Sequence, residues 1–137
     1  MTVTHCTFTL ERTFAAPPAR VFAAWSDPVA RQRWFAGSGD YQQEFRVGGT
    51  ERVQARVDTG EVLVFESRFH DIVSDERIMY TSTMMSDGNL STVSATTVEF
   101  APAEDGTALV ITEHGSYLPG MEQRRGASRA PATSSKR

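Results

Sequence analysis

Few side chains in this sequence could carry out chemistry, and they lie far apart along the chain. Glu113 shares strand parity with Leu109 and Ile111, so we expect it to face the interior as a polar anchor or a buried acid. The alternative is a glutamate at the rim, paired with an arginine. His70 and His114 have no second histidine or carboxylate at ligand spacing, which indicates surface or rim residues rather than metal ligands.

Nucleophiles and phosphate loops are also poorly supported. Cys6 is the only cysteine, which excludes an intrachain disulfide or a zinc site of several cysteines and suits a reducing compartment. Ser38 and Ser67 have no neighbouring triad residues in sequence. The glycines at 37–39 and 48–49 have the spacing of turns, not of a Walker or dinucleotide loop. The sequence therefore predicts no catalytic residue, no metal site and no cofactor.

Length and composition indicate one domain. The chain has 137 residues, 39% of them hydrophobic and 23% charged, and a net charge of -3. This composition is typical of a globular protein and provides no basic field for nucleic acid. The first residues lack a signal-peptide pattern, and no apolar run approaches the ~18 residues of a membrane span. We therefore expect a cytoplasmic protein without nucleic-acid partners.

The elements that must position any site are mostly strands. Residues 65–84, FESRFHDIVSDERIMYTSTM, alternate β-branched and aromatic residues in two arms that break at Ser74, Asp75 and Glu76. Such a pair belongs to a large antiparallel sheet. The remaining predicted strands are Thr7–Phe14, Tyr41–Val47, Thr50–Val57, Ser91–Phe100 and Thr107–Tyr117.

Two short helices are predicted between the first strand and the rest. Pro17 and Pro18 suit the entry and first turn of a helix that carries Val21, Phe22 and Trp25. Asp27 and Pro28 repeat the signal for a second helix, with Val29, Trp34 and Phe35. The predicted fold class is α+β, a curved antiparallel sheet of about six to seven strands with two short helices after strand one.

The C-terminal tail does not supply the expected cover for one sheet face. Burial of apolar surface stabilises a fold by about 25 cal/mol per Å². We therefore expect a helix to lie across the apolar face of the sheet. Residues 121–137 instead have no apolar periodicity and contain Arg124, Arg125, Arg129, Lys136 and Arg137. The sequence predicts a domain over residues 1–120 and a divergent, disordered basic tail over 121–137.

The segments FTLERTFAAPPARVFAAWSDPVARQRWF, FESRFHDIVSDERIMYTSTM, STVSATTVEF and GTALVITEHGSYLPGMEQRR together resemble the family of homologues of the activator of heat-shock-protein ATPase, in the START-like helix-grip (SRPBCC) superfamily. The resemblance covers residues 8–125 and implies a sheet that grips a long C-terminal helix around a cavity. After Arg125 the chain departs from the family, whose helix contains a Leu-Leu pair. Codons for 126–137 read two bases later can encode such a helix, so a frameshift near Arg125 is one hypothesis and a divergent tail the other.

The cavity implied by the fold has a predicted lining. Trp34, beside a Gly-rich loop, is expected at its mouth, whereas Trp25 is expected in the core between helix and sheet. Tyr80 and Tyr117 could present hydroxyls to a ligand or reach only the rim, and a bulge would reverse the parity of the inner-face residues. The full candidate set is Trp34, Phe35, Phe65, Phe69, Tyr80, Met84, Glu113 and Tyr117.

Three functions remain open at this stage. The first is a non-enzymatic binding domain for a small apolar or amphipathic ligand, which the fold resemblance implies. The second is a co-chaperone-like protein-interaction module with a charged outer sheet surface. The third is a cyclase-like or hydrolase-like enzyme, which needs at least two titratable groups converging in the cavity. If the C-terminal helix is absent, the exposed sheet face should promote self-association.

Overall fold

A computed structural model describes residues 2–119 as one seven-stranded antiparallel sheet with a helical corner. The strand order is β1-β7-β6-β5-β4-β3-β2, so β2 to β7 form a meander and β1 closes against β7. This confirms the predicted α+β class. The elements are β1 Thr4–Phe14, α1 Pro18–Ser26, α2 Pro28–Arg31, a π-helical turn Gln32–Ala36, β2 Asp40–Gln43, β3 Thr50–Arg56, β4 Val62–Val73, β5 Arg77–Ser86, β6 Asn89–Ala103 and β7 Gly106–Tyr117.

The second predicted helix is divided in two. Asp27 caps α2, because its carboxylate accepts from the Val29 N–H at 3.3 Å, and Pro28 occupies the first helical position. After Arg31 the chain widens into the π-helical turn, which ends at Gly37 with a left-handed φ of 58°. The Gly37 N–H donates to the Gln32 carbonyl at 2.9 Å.

The strand predicted over 41–47 is shorter than expected. β2 ends at Gln43, since the following segment turns and bonds to β4 instead. The Gly48 N–H donates to the Phe69 carbonyl at 2.8 Å, and the Phe69 N–H donates to the Gly49 carbonyl at 3.0 Å. Hydrogen bonding across the sheet therefore overrides the local alternation pattern.

Two register shifts interrupt the ladders without moving the predicted inner-face residues. One lies between Phe69 and Asp71, and the other between Met84 and Met85. On β4 the shift comes after Phe69, and on β5 it comes after Met84. The residues predicted to face inward therefore stay on the same face of the sheet. Phe65, Phe69, Tyr80 and Met84 are all buried.

The helical corner packs on the sheet through aromatic contacts. Trp25 on α1 is buried and meets Phe100 of β6 edge to face at 5.5 Å, and Phe22 meets the same ring at 5.2 Å. Burial of each large apolar side chain contributes roughly 1.5–3 kcal/mol to folding. Trp25 thus occupies the core position predicted for it.

The predictions for residues 121–137, including the altered C-terminal helix and the frameshift, lie outside the described residues.

Candidate functional site

The register of the sheet aligns side chains from five strands in one row across its concave face. Phe8 pairs with Glu113, Glu113 with Thr96, Thr96 with Tyr80, and Tyr80 with Phe69. Because directly paired residues of neighbouring strands project to the same side, these five side chains lie side by side. A carboxylate and two hydroxyl groups thus sit between two phenyl rings.

Glu113 is the charged member of this row. Its residue is only 8% exposed, and its Oε1 accepts a hydrogen bond from the Thr96 hydroxyl at 3.2 Å. A carboxylate at such a depth needs hydrogen-bonding partners to offset the loss of water. The inward orientation predicted from strand parity is what the structure shows.

The neighbouring row carries small residues. Gly115, Ser94, Ser82 and Ser67 follow one another from β7 to β4, and the hydroxyls of Ser67 and Ser82 are hydrogen bonded at 2.9 Å. The ring of buried Tyr117 occupies the space beside Gly115, where an added Cβ would lie 3.3 Å from its Cε1. A larger residue at 115 would therefore compete with the tyrosine for this space.

Glu51 of β3 continues this row and forms a buried ion pair. Both its oxygens accept hydrogen bonds from Arg31, from Nε at 2.7 Å and from Nη2 at 3.0 Å. The Tyr41 hydroxyl donates to the same carboxylate at 2.5 Å. The two charged side chains are 1% and 0% exposed, so the pair links α2 to β3 in the absence of bulk water.

Aromatic rings surround the buried guanidinium. The Arg31 Cζ lies 3.7 Å from the ring centroid of Phe35, 4.7 Å from that of Trp34 and 5.9 Å from that of Trp25. A cation over aromatic faces is stabilised by their quadrupoles, more strongly where water is excluded. Phe35 also contacts Phe65 of β4 at 5.4 Å, so the same ring joins the cation to the sheet.

Burial and charge shift the titration of this cluster. Burial lowers the pKa of Arg31, but the charge and hydrogen bonds of Glu51 outweigh it, and the net pKa is raised. Burial, followed by the nearby Glu51 charge, raises the pKa of Tyr41. Burial raises the pKa of Tyr80 to about 12, against an opposing effect of Arg31. Both tyrosines therefore keep their hydroxyl protons at neutral pH and remain hydrogen-bond donors.

The predicted candidates come from two parts of the fold, which meet where Phe35 contacts Phe65. Trp34 and Phe35 belong to the helical corner, where the Trp34 Nε1 donates to the Ala24 carbonyl at 2.7 Å. The sheet supplies the second group, in which Tyr80 is central. This second group projects from the concave face of β4, β5 and β7 and consists of Phe65, Phe69, Tyr80, Met84, Glu113 and Tyr117.

The histidines lie on the outer face, in agreement with the sequence. His70 is exposed and hydrogen bonds to Thr81 at 2.8 Å, and exposed His114 hydrogen bonds to Thr7 at 3.0 Å. Within residues 2–119, no group of three or more His, Cys, Asp or Glu side chains could hold a metal ion. The same part of the chain has no helix long and apolar enough to cross a membrane.

Sequence reasoning missed Arg31, Glu51 and Tyr41, although the sequence contained signals for Arg31 and Glu51. Arg31 precedes Trp34 and Phe35 by three and four positions, which places all three on one helical face. Glu51 has the parity of Val53, an inward-facing residue of β3. Neither signal identifies the two residues as partners, because twenty residues separate them.

A curved sheet with a helical corner and polar groups on its concave face defines a helix-grip domain, a fold that supports ligand binding or protein interaction. Residues 15–131 match the family model described as activator of Hsp90 ATPase homolog 1-like protein, and the chain belongs to this family. The match extends past Arg125. No curated protein matches the chain.

Solved structures agree with this assignment. A protein of Rhizobium leguminosarum is 34% identical with a TM-score of 0.89, covering 98% of this chain and 94% of that one. A Rhizobium loti protein is 33% identical with a TM-score of 0.86, covering 99% and 98%. A Chromobacterium violaceum protein is 28% identical with a TM-score of 0.72, covering 94% of each chain.

Proposed function

We propose that this protein is a non-enzymatic binding domain that holds a small amphipathic molecule against the concave face of its sheet. The observation that carries the proposal is the buried row of Glu113, Thr96 and Tyr80 between two phenyl rings. Ligand sites are mainly apolar and aromatic, with a few placed polar groups that fix orientation. The phenyl rings supply apolar contact, and the carboxylate and hydroxyls supply the polar contacts.

The second buried carboxylate argues for binding rather than catalysis. Glu51 is on β3 and Glu113 on β7, with three strands between them. Arg31 and Tyr41 engage the Glu51 oxygens, so its lone pairs serve the fold. General acid-base chemistry with two carboxylates requires both to reach the same reacting atoms, and these two lie far apart on the sheet.

Binding can be tested with the fluorescent probe N-phenyl-1-naphthylamine, which has an apolar body and one N–H donor. We expect saturable binding, and about a tenfold weaker affinity in Glu113→Gln, because a hydrogen bond to a charged acceptor is replaced by a neutral one. The control is Glu99→Gln, an exposed change on β6. Equal affinity in wild type and Glu113→Gln, or no binding at all, would contradict the proposal.

A second candidate function, a co-chaperone-like interaction module, is favoured by a hollow on the outer face of β3 to β5. Its volume is about 670 Å³, and its lining includes Arg52, Glu66, Arg68 and Thr81. Arg52 and Glu66 form an ion pair at 3.3 Å, with both side chains well exposed. These charged side chains support contact with a protein partner of complementary charge.

The corresponding experiment is calorimetric titration with the middle domain of Hsp90. Charge reversal by Arg52→Glu and Arg68→Glu should abolish measurable binding, whereas Arg20→Glu, an exposed change on α1, should not. If the protein with Arg52→Glu and Arg68→Glu binds as tightly as the Arg20→Glu control, the outer hollow is not the contact surface.

A further inference from the structure

The outer edge of β1 presents a regular set of backbone hydrogen-bonding groups. Within residues 2–119, β1 is the last strand of the sheet and pairs with β7. The Leu118 N–H donates to the Ser91 carbonyl at 3.0 Å. The backbone N–H and C=O groups of even-numbered β7 residues therefore point toward β6, and those of odd-numbered β7 residues point toward β1. The odd-numbered β7 residues pair with even-numbered β1 residues, whose backbone groups therefore point toward β7. The groups pointing outward belong to His5, Thr7, Thr9, Glu11 and Thr13.

A side-chain contact agrees with this assignment. The Arg12 Nη1 donates to the Glu11 carbonyl at 2.8 Å, as expected of a carbonyl that lies outside the ladder with β7. A carbonyl oxygen has two lone pairs. Arg12 therefore leaves the Glu11 carbonyl able to accept a second hydrogen bond from another strand.

This edge lacks most of the features that keep sheet edges apart. Its eleven residues pair with β7 without a register shift, and the strand contains no Pro, Gly or Lys. The side chains of His5, Thr7, Thr9, Glu11 and Thr13 are all exposed. Long, regular edges without bulges, Pro or Lys are templates for pairing with another strand.

We propose that β1 is a self-association surface, at which a second copy of this chain adds its own β1 antiparallel and joins the two sheets. The twofold axis passes through Phe8, so Thr7 lies opposite the partner's Thr9 and His5 lies opposite the partner's Glu11. Every outward-facing backbone group from residue 5 to residue 11 then meets an outward-facing group of the other copy.

Side-chain chemistry selects this register among those that the backbone permits. It places an imidazole opposite a carboxylate twice, and opposite-charge or hydrogen-bonding pairs directly across two strands are favourable. It also places Arg12 opposite the exposed Thr4. A shift of two residues would set Glu11 against Thr7 and Arg12 against Cys6, and a shift of four would set Arg12 against Phe8.

Mixed disulfide trapping tests the register with new cysteines at exposed positions. In a Cys6→Ser background, Thr7→Cys and Thr9→Cys are made as separate variants and then mixed. Residues in a hydrogen-bonded antiparallel pair have Cα atoms about 5.5 Å apart, within disulfide range. We expect a covalent dimer on oxidation of the mixture, and none from either variant alone. A dimer from Thr9→Cys or Thr7→Cys alone would overturn the register.

Sedimentation of the full-length chain tests self-association itself. Wild type should show a monomer–dimer equilibrium, and Thr7→Lys with Thr9→Lys should weaken it at least about tenfold, because lysines would face each other twice across the interface. The control, Arg20→Lys on α1, should leave the equilibrium unchanged. A monomer at every concentration, or a dimer that the two lysines do not affect, would overturn the proposal.

Discussion

Arg31 and Glu51 form a two-pronged buried ion pair that joins the helical corner to the sheet, with nitrogen–oxygen distances of 2.7 and 3.0 Å. The guanidinium lies against Phe35 on one side, and the carboxylate accepts from Tyr41 on the other. The pair therefore sets the position of the corner relative to β2 and β3, the strands next to the proposed ligand face.

Removal of one partner should destabilise the protein strongly. Arg31→Ala leaves the Glu51 charge buried without its cation, and we expect a loss of about 3–5 kcal/mol in the free energy of unfolding. Arg52→Ala, which breaks an exposed pair with Glu66, should cost at most about 1 kcal/mol. Urea unfolding of both variants measures the difference, and similar losses would show that the buried pair has no special role.

A second variant separates charge burial from packing. Arg31→Met combined with Glu51→Leu removes both charges and keeps apolar volume, so we expect it to be more stable than Arg31→Ala. Calorimetric melting of the two proteins gives the comparison. A double variant no more stable than the single one would mean that the hydrogen bonds, and not the unpaired charge, dominate.

Alkaline pH should destabilise the protein through Tyr80. Its pKa is raised from 10 to about 12 by burial, so between these values the unfolded chain loses a proton that the folded protein retains. The contribution of Tyr80 to the free energy of unfolding is fully present below pH 10. It is lost as the pH rises toward 12, by roughly 3 kcal/mol. Urea unfolding from pH 8 to 12 should give a shallower decline in Tyr80→Phe, whereas parallel curves would refute the assignment.

Gly115 and Tyr117 should be energetically coupled. Alanine at 115 would place a Cβ 3.3 Å from the Tyr117 ring, so we expect Gly115→Ala to cost about 1 kcal/mol through overpacking. In a Tyr117→Ala background the same change should be neutral or stabilising, since alanine restricts the unfolded chain more than glycine does. A double-mutant cycle measures the coupling, and additive effects would exclude the contact.

Gly49 should tolerate no side chain. An added Cβ would collide with the Glu44 carbonyl oxygen, which belongs to the rigid backbone of the turn. We expect Gly49→Ala to lose more than about 3 kcal/mol. Gly60→Ala is the matched control, because Gly60 has open space around it and only the strain of a φ of 89°, worth roughly 1–2 kcal/mol. Equal losses would contradict the predicted collision, because Gly49 has no positive φ whose strain could account for its loss.

Local patterns determined much of this protein. Alternation identified most strands, the Asp-Pro pair marked the start of α2, and parity assigned Phe65, Tyr80 and Glu113 to one face. These features depend on residues close in sequence, whose side-chain directions follow from the period of a strand or the cap of a helix. The early end of β2 and the π-helical turn escaped prediction, since distant hydrogen bonds and packing decide them.

Only the tertiary structure decided which distant residues meet. Sequence periodicity can turn Arg31 toward a core and Glu51 toward a sheet face, but it does not encode the distance between them. The same holds for the row that brings Thr96 beside Glu113 and Tyr80, because strand order and register depend on contacts summed over the whole sheet. Side-chain direction was thus determined by the sequence alone, and side-chain partnership by the fold.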